Sequence, residues 1–287
     1  MAGLAILIIG DAARSEFEEP LSTIYAEHEV HCAPDVETAR ALMVENSFTP
    51  DVLVVAQAFP NQFTETEIEE LLRLAPLARV VSLLGAWCEG ESRSGKPWPS
   101  TARLYWHQWP CRVKRQLFQL AEGRKCAWSL PLTATEEEQL LAEFESNDGH
   151  GRSLITSETA SEQHPGLVII RTHSRETWEL LSMACHTLGF SAVWQRDASP
   201  LAAKGAQVII FDSGGPEEEI ERLKCFVGEI QPVPVIALWS FPRIEDYRKL
   251  QAAGAAAILS KPFLITDLSW LLIKLSTSFS AMQSQTS

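Results

Sequence analysis

The chain has 287 residues, room for about two ordinary domains. With 46% hydrophobic and 21% charged residues, 15 Gly and 16 Pro, it is neither disordered, collagen-like nor coiled-coil in composition. Its 24 Lys and Arg against 37 Asp and Glu leave a net charge of −13, which repels phosphate backbones and anionic headgroups, so neither nucleic acid nor a membrane is expected as a partner. From Ala5 to about Leu120, apolar runs of strand length alternate with helix-period stretches, the pattern of a parallel sheet covered on both faces. The predicted strands are Ala5–Ile9, Glu29–Cys32, Asp51–Val55, Arg79–Leu84 and Arg103–His107. Helices are predicted around Ser15–Glu27, Val36–Asn46, Glu65–Leu74 and Arg112–Ala121. Between the fourth and fifth strands the Gly, Ser and Pro of Trp87 to Pro99 break any helical period, and a long loop is expected there.

A second copy of the pattern follows from Gly166, with strands at Leu167–Ile170, Ala192–Gln195, Val208–Phe211, Val233–Leu238 and Ala256–Leu259. Its helices fall near Arg175–Leu188, Pro200–Lys204, Glu217–Gly228, Arg243–Ala253 and Leu264–Leu275. Right-handed crossovers make each copy a three-layer α/β/α sandwich with a five-stranded parallel sheet, a flavodoxin-like fold in tandem. The expected domains are 1–125 and 166–276, joined by an acidic linker over 126–165 and followed by a flexible tail over 277–287. The linker carries eight acidic residues against Arg152 alone. Within it Thr135 and Glu138 stand at capping-box spacing before Leu140, Leu141 and Phe144, which predicts a short helix. Ser146 to His164 reads as flexible.

In the second copy the third strand ends Val208-Ile-Ile-Phe-Asp212, Pro216 follows four residues on, and the fifth strand ends Leu259-Ser-Lys261-Pro262-Phe263. This resembles the response-regulator receiver (CheY-like) family over about Gly166 to Leu275. The resemblance implies a phosphoacceptor at Asp212, a phosphate-contacting Lys261, and two acidic magnesium ligands after the first strand. Those two positions hold Arg171 and Thr172, and the hydroxyl position after the fourth strand holds Trp239, with Ser240 next. One carboxylate beside a guanidinium is a poor donor set for a hard dication. Asp212 is therefore expected to phosphorylate poorly and instead to be held by Arg171 and Lys261. The first copy resembles the family in its strand spacing, Pro60 and Pro110 only. Ala56 stands at the acceptor position, Gly10 and Asp11 at the acidic pair, and Trp109 at the Lys of Lys-Pro.

Trp87, Trp98, Trp106, Trp109 and Trp128 cluster around the fourth and fifth strands. Such rings anchor interfaces at low entropy cost, which makes Trp87, Trp98, Trp106 and Trp109 a candidate docking surface. Filling the hollow left by the missing helix is the equally weighted alternative. Gly90 to Lys96 has phosphate-loop spacing, but Pro97 replaces the hydroxyl residue and no helix can start there. The loop residues Cys88, Glu89, Glu91 and Arg93 are read as local salt bridges and turn contacts. Cys32, Cys88, Cys111, Cys126, Cys185 and Cys225 include no C-x-x-C pair, as in a reducing compartment, and His107 with Cys88, Cys111 and Cys126 lacks zinc spacing. Ser174 is read as a helix cap rather than a nucleophile. Arg112, Lys114, Arg115, Arg124 and Lys125 are read as a solvated face or as partners of the acidic linker. The apolar run Leu4 to Ile9 is too short for a signal core or a membrane span. The expectation is a cytoplasmic, non-enzymatic signalling or scaffold protein of a two-component type, free of cofactor and metal, working through protein partners or as a homodimer. The alternatives are a phosphoacceptor using Asp212, and a small-ligand or nucleotide binder at the crevice where the strands end.

Overall fold

The computed structural model describes residues 3–25, 28–91, 97–148, 166–196, 205–213 and 217–286. The chain divides into two compact units, Met1–Ser146 and Asn147–Ser287. In the first unit the strands are β1 (Ala5–Ile9), β2 (Glu29–Ala33), β3 (Val52–Gln57), β4 (Arg79–Leu84) and β5 (Ala102–Tyr105). They form one all-parallel sheet in the order β2-β1-β3-β4-β5. Val52 to Gln57 is buried at every position, as a central strand covered on both faces requires. Each such Val, Leu or Ile side chain contributes about 1.5–3 kcal/mol on leaving water.

The helices are α1 (Glu18–Tyr25), α2 (Val36–Glu45), α3 (Glu65–Leu74) and α4 (Trp109–Ala121). Side chains set their starts. Asp35 accepts the Thr38 N–H at 2.8 Å, and Thr64 and Glu67 close a reciprocal capping box. Between β4 and β5 lies a 3-10 turn, Ala86–Cys88, and Glu91 has helical backbone. The remaining part of the predicted loop, including Arg93 and Lys96, falls on 92–96, outside the described residues. Next comes α5 (Glu136–Asp148), capped as its spacing predicts, with the Thr135 N–H donating to Glu138 at 2.8 Å and the Glu138 N–H to Thr135 at 3.2 Å. The linker residues 149–165 lie outside the described residues.

The second unit repeats the topology. Its strands β6 (Leu167–Arg171), β7 (Ser191–Gln195), β8 (Ala206–Asp212), β9 (Val235–Ser240) and β10 (Ala257–Lys261) run parallel in the order β7-β6-β8-β9-β10. Its helices are α6 (Arg175–Thr187), α7 (Glu217–Ile230), α8 (Ile244–Ala252) and α9 (Ile265–Thr286). The helix predicted at Pro200–Lys204 and the motif residue Pro216 lie outside the described residues. Ser174 caps α6 by accepting the Thr177 N–H at 3.1 Å, the role expected of it.

The sequence predicts fraying beyond Leu275, but α9 continues to Thr286. Phe279 extends the buried stripe of Leu268 and Leu272 and is itself buried. The hydroxyls of Ser278 and Ser284 return to the carbonyls of Lys274 and Ser280 at 2.9 and 3.0 Å, so the serines satisfy themselves on the helix. Among the described residues no helix is long and apolar enough to cross a membrane.

Candidate functional site

In the second unit Asp212 ends β8 and Lys261 ends β10. β9 lies between them, pairing Leu238 with Asp212 and Ser240 with Lys261. The Lys261 ammonium donates to Asp212 Oδ1 at 2.7 Å and also lies 3.5 Å from the Ser213 carbonyl. The Thr172 hydroxyl donates to the other oxygen, Oδ2, at 2.6 Å. Thr172 Oγ1 in turn accepts the Ser174 N–H at 3.1 Å, which holds the hydroxyl in place. Both carboxylate oxygens therefore receive a strong donor, one of them charged. The Asp212 and Lys261 side chains are 11% and 30% exposed, well inside the crevice rather than on open surface. Trp194 steadies Thr172 from the neighbouring edge strand by donating its indole N–H to the Thr172 carbonyl at 2.9 Å, with its ring stacked on Trp178.

Arg171 is not part of this cluster, which corrects the expectation that it would hold Asp212. It pairs in register with Phe211, one residue away from Asp212, and successive strand residues face opposite sides of a sheet. Its guanidinium lies over the rings of Phe211 and Phe226, 4.8 and 5.0 Å from their centroids, a cation–π contact. Thr172, extending the same register, is the residue that meets Asp212. Trp239 is buried, whereas Ser240 is exposed at the strand end. Phe241 follows it, solvent-exposed and in left-handed backbone at φ 45.

The resemblance to receivers implies a magnesium ion at this crevice, and these residues do not fit one. A dication of this size wants several hard oxygen ligands, but the positions of the acidic pair supply a hydroxyl and a guanidinium. Lys261 and Thr172 already claim the one carboxylate. Among the described residues no three His, Cys, Asp or Glu side chains converge anywhere in a way that could hold a metal ion.

In the first unit, register fixes which residues are equivalent. Ala56 pairs with Leu83 and Leu83 with Leu104, just as Asp212 pairs with Leu238 and Leu238 with Leu259. The counterpart of Lys261 is thus Trp106, two residues after Leu104. Trp109, matched to it by sequence, instead opens α4. Gly10 extends β1 opposite Ala56 and matches Thr172. An added Cβ on Gly10 would stand 2.5 Å from the Ala56 carbonyl oxygen, and Gly10 has φ +117, so only glycine fits. Asp11 lies one position beyond the pocket, exposed, and spends its carboxylate on the Ala13 N–H at 3.2 Å. No carboxylate faces Ala56 from these positions.

Of the candidate docking rings, Trp98, Trp106 and Trp109 are buried at 4% exposure or less, as is Trp128. They are core, not surface, and only Trp87 faces solvent. Trp98 donates its indole N–H to Gln57 Oε1 at 3.0 Å, Gln57 Nε2 donates to Glu91 at 2.8 Å, and Arg103 closes the chain on Glu91 at 2.6 Å. This buried polar network ties Glu91 and Trp98, on either side of residues 92–96, to Gln57 of β3 and Arg103 of β5. The buried Gln57, one residue past the vanished acceptor, was the signal in the sequence that could have revealed it. Of the basic stripe, Arg115 pairs with Glu143 of the acidic connector, which is the intramolecular alternative.

Burial pushes the Cys88 thiol up to about 12, with Glu91 adding to the shift, and it also raises Cys126. Neither is a ready thiolate ligand. His107, also buried, is pushed down to about 4 by desolvation, with the half-exposed Glu89 carboxylate 3.8 Å away. Its folded value lies below the unfolded 6.5, so the unfolded chain takes up the proton first and stability falls as pH drops from 6.5 towards 4. At pH 5 the loss from His107 amounts to about 2 kcal/mol. Urea unfolding at pH 7 and pH 5 checks this: His107→Phe should lose markedly less stability between the two than the parent chain does.

No family model and no curated protein matches the sequence. Solved structures do resemble it. Vibrio cholerae chemotaxis protein CheY4 is 22% identical, with 38% of this chain matched to 97% of that one at a TM-score of 0.34. A response regulator from Thermotoga maritima is 20% identical over 39% of this chain and 97% of its own, TM-score 0.36. The signal receiver domain of a histidine kinase from Syntrophus aciditrophicus is 21% identical over 39% and 91%, TM-score 0.36. Each match spans about the length of one unit. The strand order itself defines the class, two tandem α/β sandwiches of the flavodoxin-like type.

Proposed function

We propose that this chain is a non-enzymatic signalling or scaffold protein built of two receiver-like units that have stopped phosphorylating and act through contacts with protein partners. The observation that carries this reading is the occupancy of Asp212, whose two oxygens are bonded to Lys261 and Thr172. A phosphoacceptor carboxylate must offer one oxygen as nucleophile while a metal ion neutralises the incoming phosphoryl oxygens. Here the nucleophile is held in an ion pair, and the metal's ligands are replaced by a hydroxyl and a guanidinium engaged elsewhere. In the first unit the equivalent position is Ala56, which has no oxygen to phosphorylate.

The test is to add beryllofluoride with magnesium to the labelled full-length chain and follow the amide resonances of Asp212, Ser213 and Lys261. They are expected to stay in place. Saturable, magnesium-dependent shifts would overturn the proposal in favour of a working phosphoacceptor.

A further inference from the structure

Two aromatic rings stand in solvent where the strands of the first sheet end, and nothing in the crevice described above uses them. Trp87 is 75% exposed and Phe59 50%. Each sits on a turn that is pinned in place. Trp87 is the centre of the 3-10 turn Ala86–Cys88, where the Ala86 N–H donates to buried Glu16 Oε2 at 3.1 Å, the Gly85 N–H to the Gln57 carbonyl at 2.8 Å, and the Cys88 N–H to the Gly85 carbonyl at 3.0 Å. Phe59 opens a turn in which Gln62 reaches back to accept the Ala58 N–H at 2.7 Å, with Asn61 in left-handed backbone at φ 58, a conformation Asn tolerates.

The two turns touch. A Cβ on Gly85 would lie 3.0 Å from both the Cα and the carbonyl oxygen of Ala58 and 2.7 Å from Glu16 Oε1. Phe59 is therefore one residue, and Trp87 two, from a close approach of the two backbones. Two exposed carboxylates belong to the same strand ends: Asp11 is one residue past Gly10, which extends β1 opposite Ala56, and Glu89, two residues after Trp87, is 41% exposed. Among the described residues, Arg14 holds the carboxylate of Glu16 at 3.1 Å and Arg103 that of Glu91 at 2.6 Å.

We infer that the crest formed by Trp87 and Phe59, with Asp11 and Glu89 of the same strand ends, docks a cationic segment of a partner protein, a stretch bearing Arg or Lys beside an aliphatic residue. The inference rests on the reading of this chain as a contact protein and names the chemistry of the contact. An indole face attracts a guanidinium or ammonium, Trp most strongly of the aromatic rings. The two carboxylates add the complementary charge that steers a basic segment in. Since both turns are hydrogen-bonded before any partner arrives, little conformational entropy is left to lose on binding, which is how a small patch becomes an anchor.

The experiment titrates the labelled full-length chain with the peptide acetyl-Arg-Arg-Leu-Arg-Arg-amide and with its counterpart carrying Glu in place of Arg, following the indole N–H of Trp87. The Arg peptide should shift that resonance saturably, with affinity that weakens as salt rises. Affinity should fall by about tenfold in Trp87→Ala, and again in the Asp11→Asn/Glu89→Gln double variant. An absent shift, an equal response to the Glu peptide, or unchanged affinity in Trp87→Ala overturns the proposal. Self-association abolished by Trp87→Ala, with no response to the peptide, assigns the crest to a second copy of this chain and also overturns it. The beryllofluoride experiment reads Asp212 in the other unit, so failure here and failure of the broader reading are separate results.

Discussion

Glu143→Ala is expected to destabilise the first unit by about 3–5 kcal/mol. Glu143 and its partner Arg115 have side chains only 7% and 3% exposed, and the second Glu143 oxygen accepts Gln116 Nε2 at 2.8 Å. Removing the carboxylate leaves a buried guanidinium and a buried amide facing a void, and that penalty exceeds the net worth of the intact pair. Urea unfolding followed by tryptophan fluorescence, with Trp106, Trp109 and Trp128 as reporters in this unit, measures the loss. The double variant Arg115→Met/Glu143→Leu should be distinctly more stable than Glu143→Ala, because the buried charge leaves together with its carboxylate partner. A loss under about 1 kcal/mol for Glu143→Ala would mean that α5 is not anchored by this pair, since only exposed pairs cost so little.

Trp109→Ala should cost about 3–5 kcal/mol in the same assay, the range for emptying a fully buried aromatic site. The ring is 0% exposed and lies 6.0 Å from that of Trp128 at 47°, so truncation removes aromatic contacts as well as transfer energy. Trp87→Ala, by contrast, should stay within about 0.5 kcal/mol of the parent. The pair of variants separates core from contact surface: similar losses for both, or none for either, would contradict the burial that distinguishes them.

Much of the framework was legible in the chain. Ala5–Ile9, Arg79–Leu84 and Glu65–Leu74 run between the predicted bounds, because strands buried on both faces and a helix with its own capping box carry local signals. The caps at Thr135 and Ser174 were equally local. What failed depended on register and parity. Trp109 looked equivalent to Lys261 because a proline follows each, but pairing across β4 selects Trp106. Arg171 looked like a partner for Asp212 because it stands at one of the two acidic-pair positions, but a strand turns alternate residues to opposite faces and hands that role to Thr172. The tryptophans were ambiguous for a different reason, since the same large amphipathic ring serves a core and an interface, and only its surroundings decide which.

Continuous hydrophobic runs of strand length, helix-period stretches and capping residues were enough to specify two α/β sandwiches, since each of these preferences acts between residues close along the chain. The state of Asp212 is different in kind. Its two partners are 40 and 49 residues away in sequence, and they meet it only because three strands of one sheet end at the same level. Whether a carboxylate there stands ready to react or is held by a lysine and a threonine is decided by which side chains share that face, and folding alone brings them together.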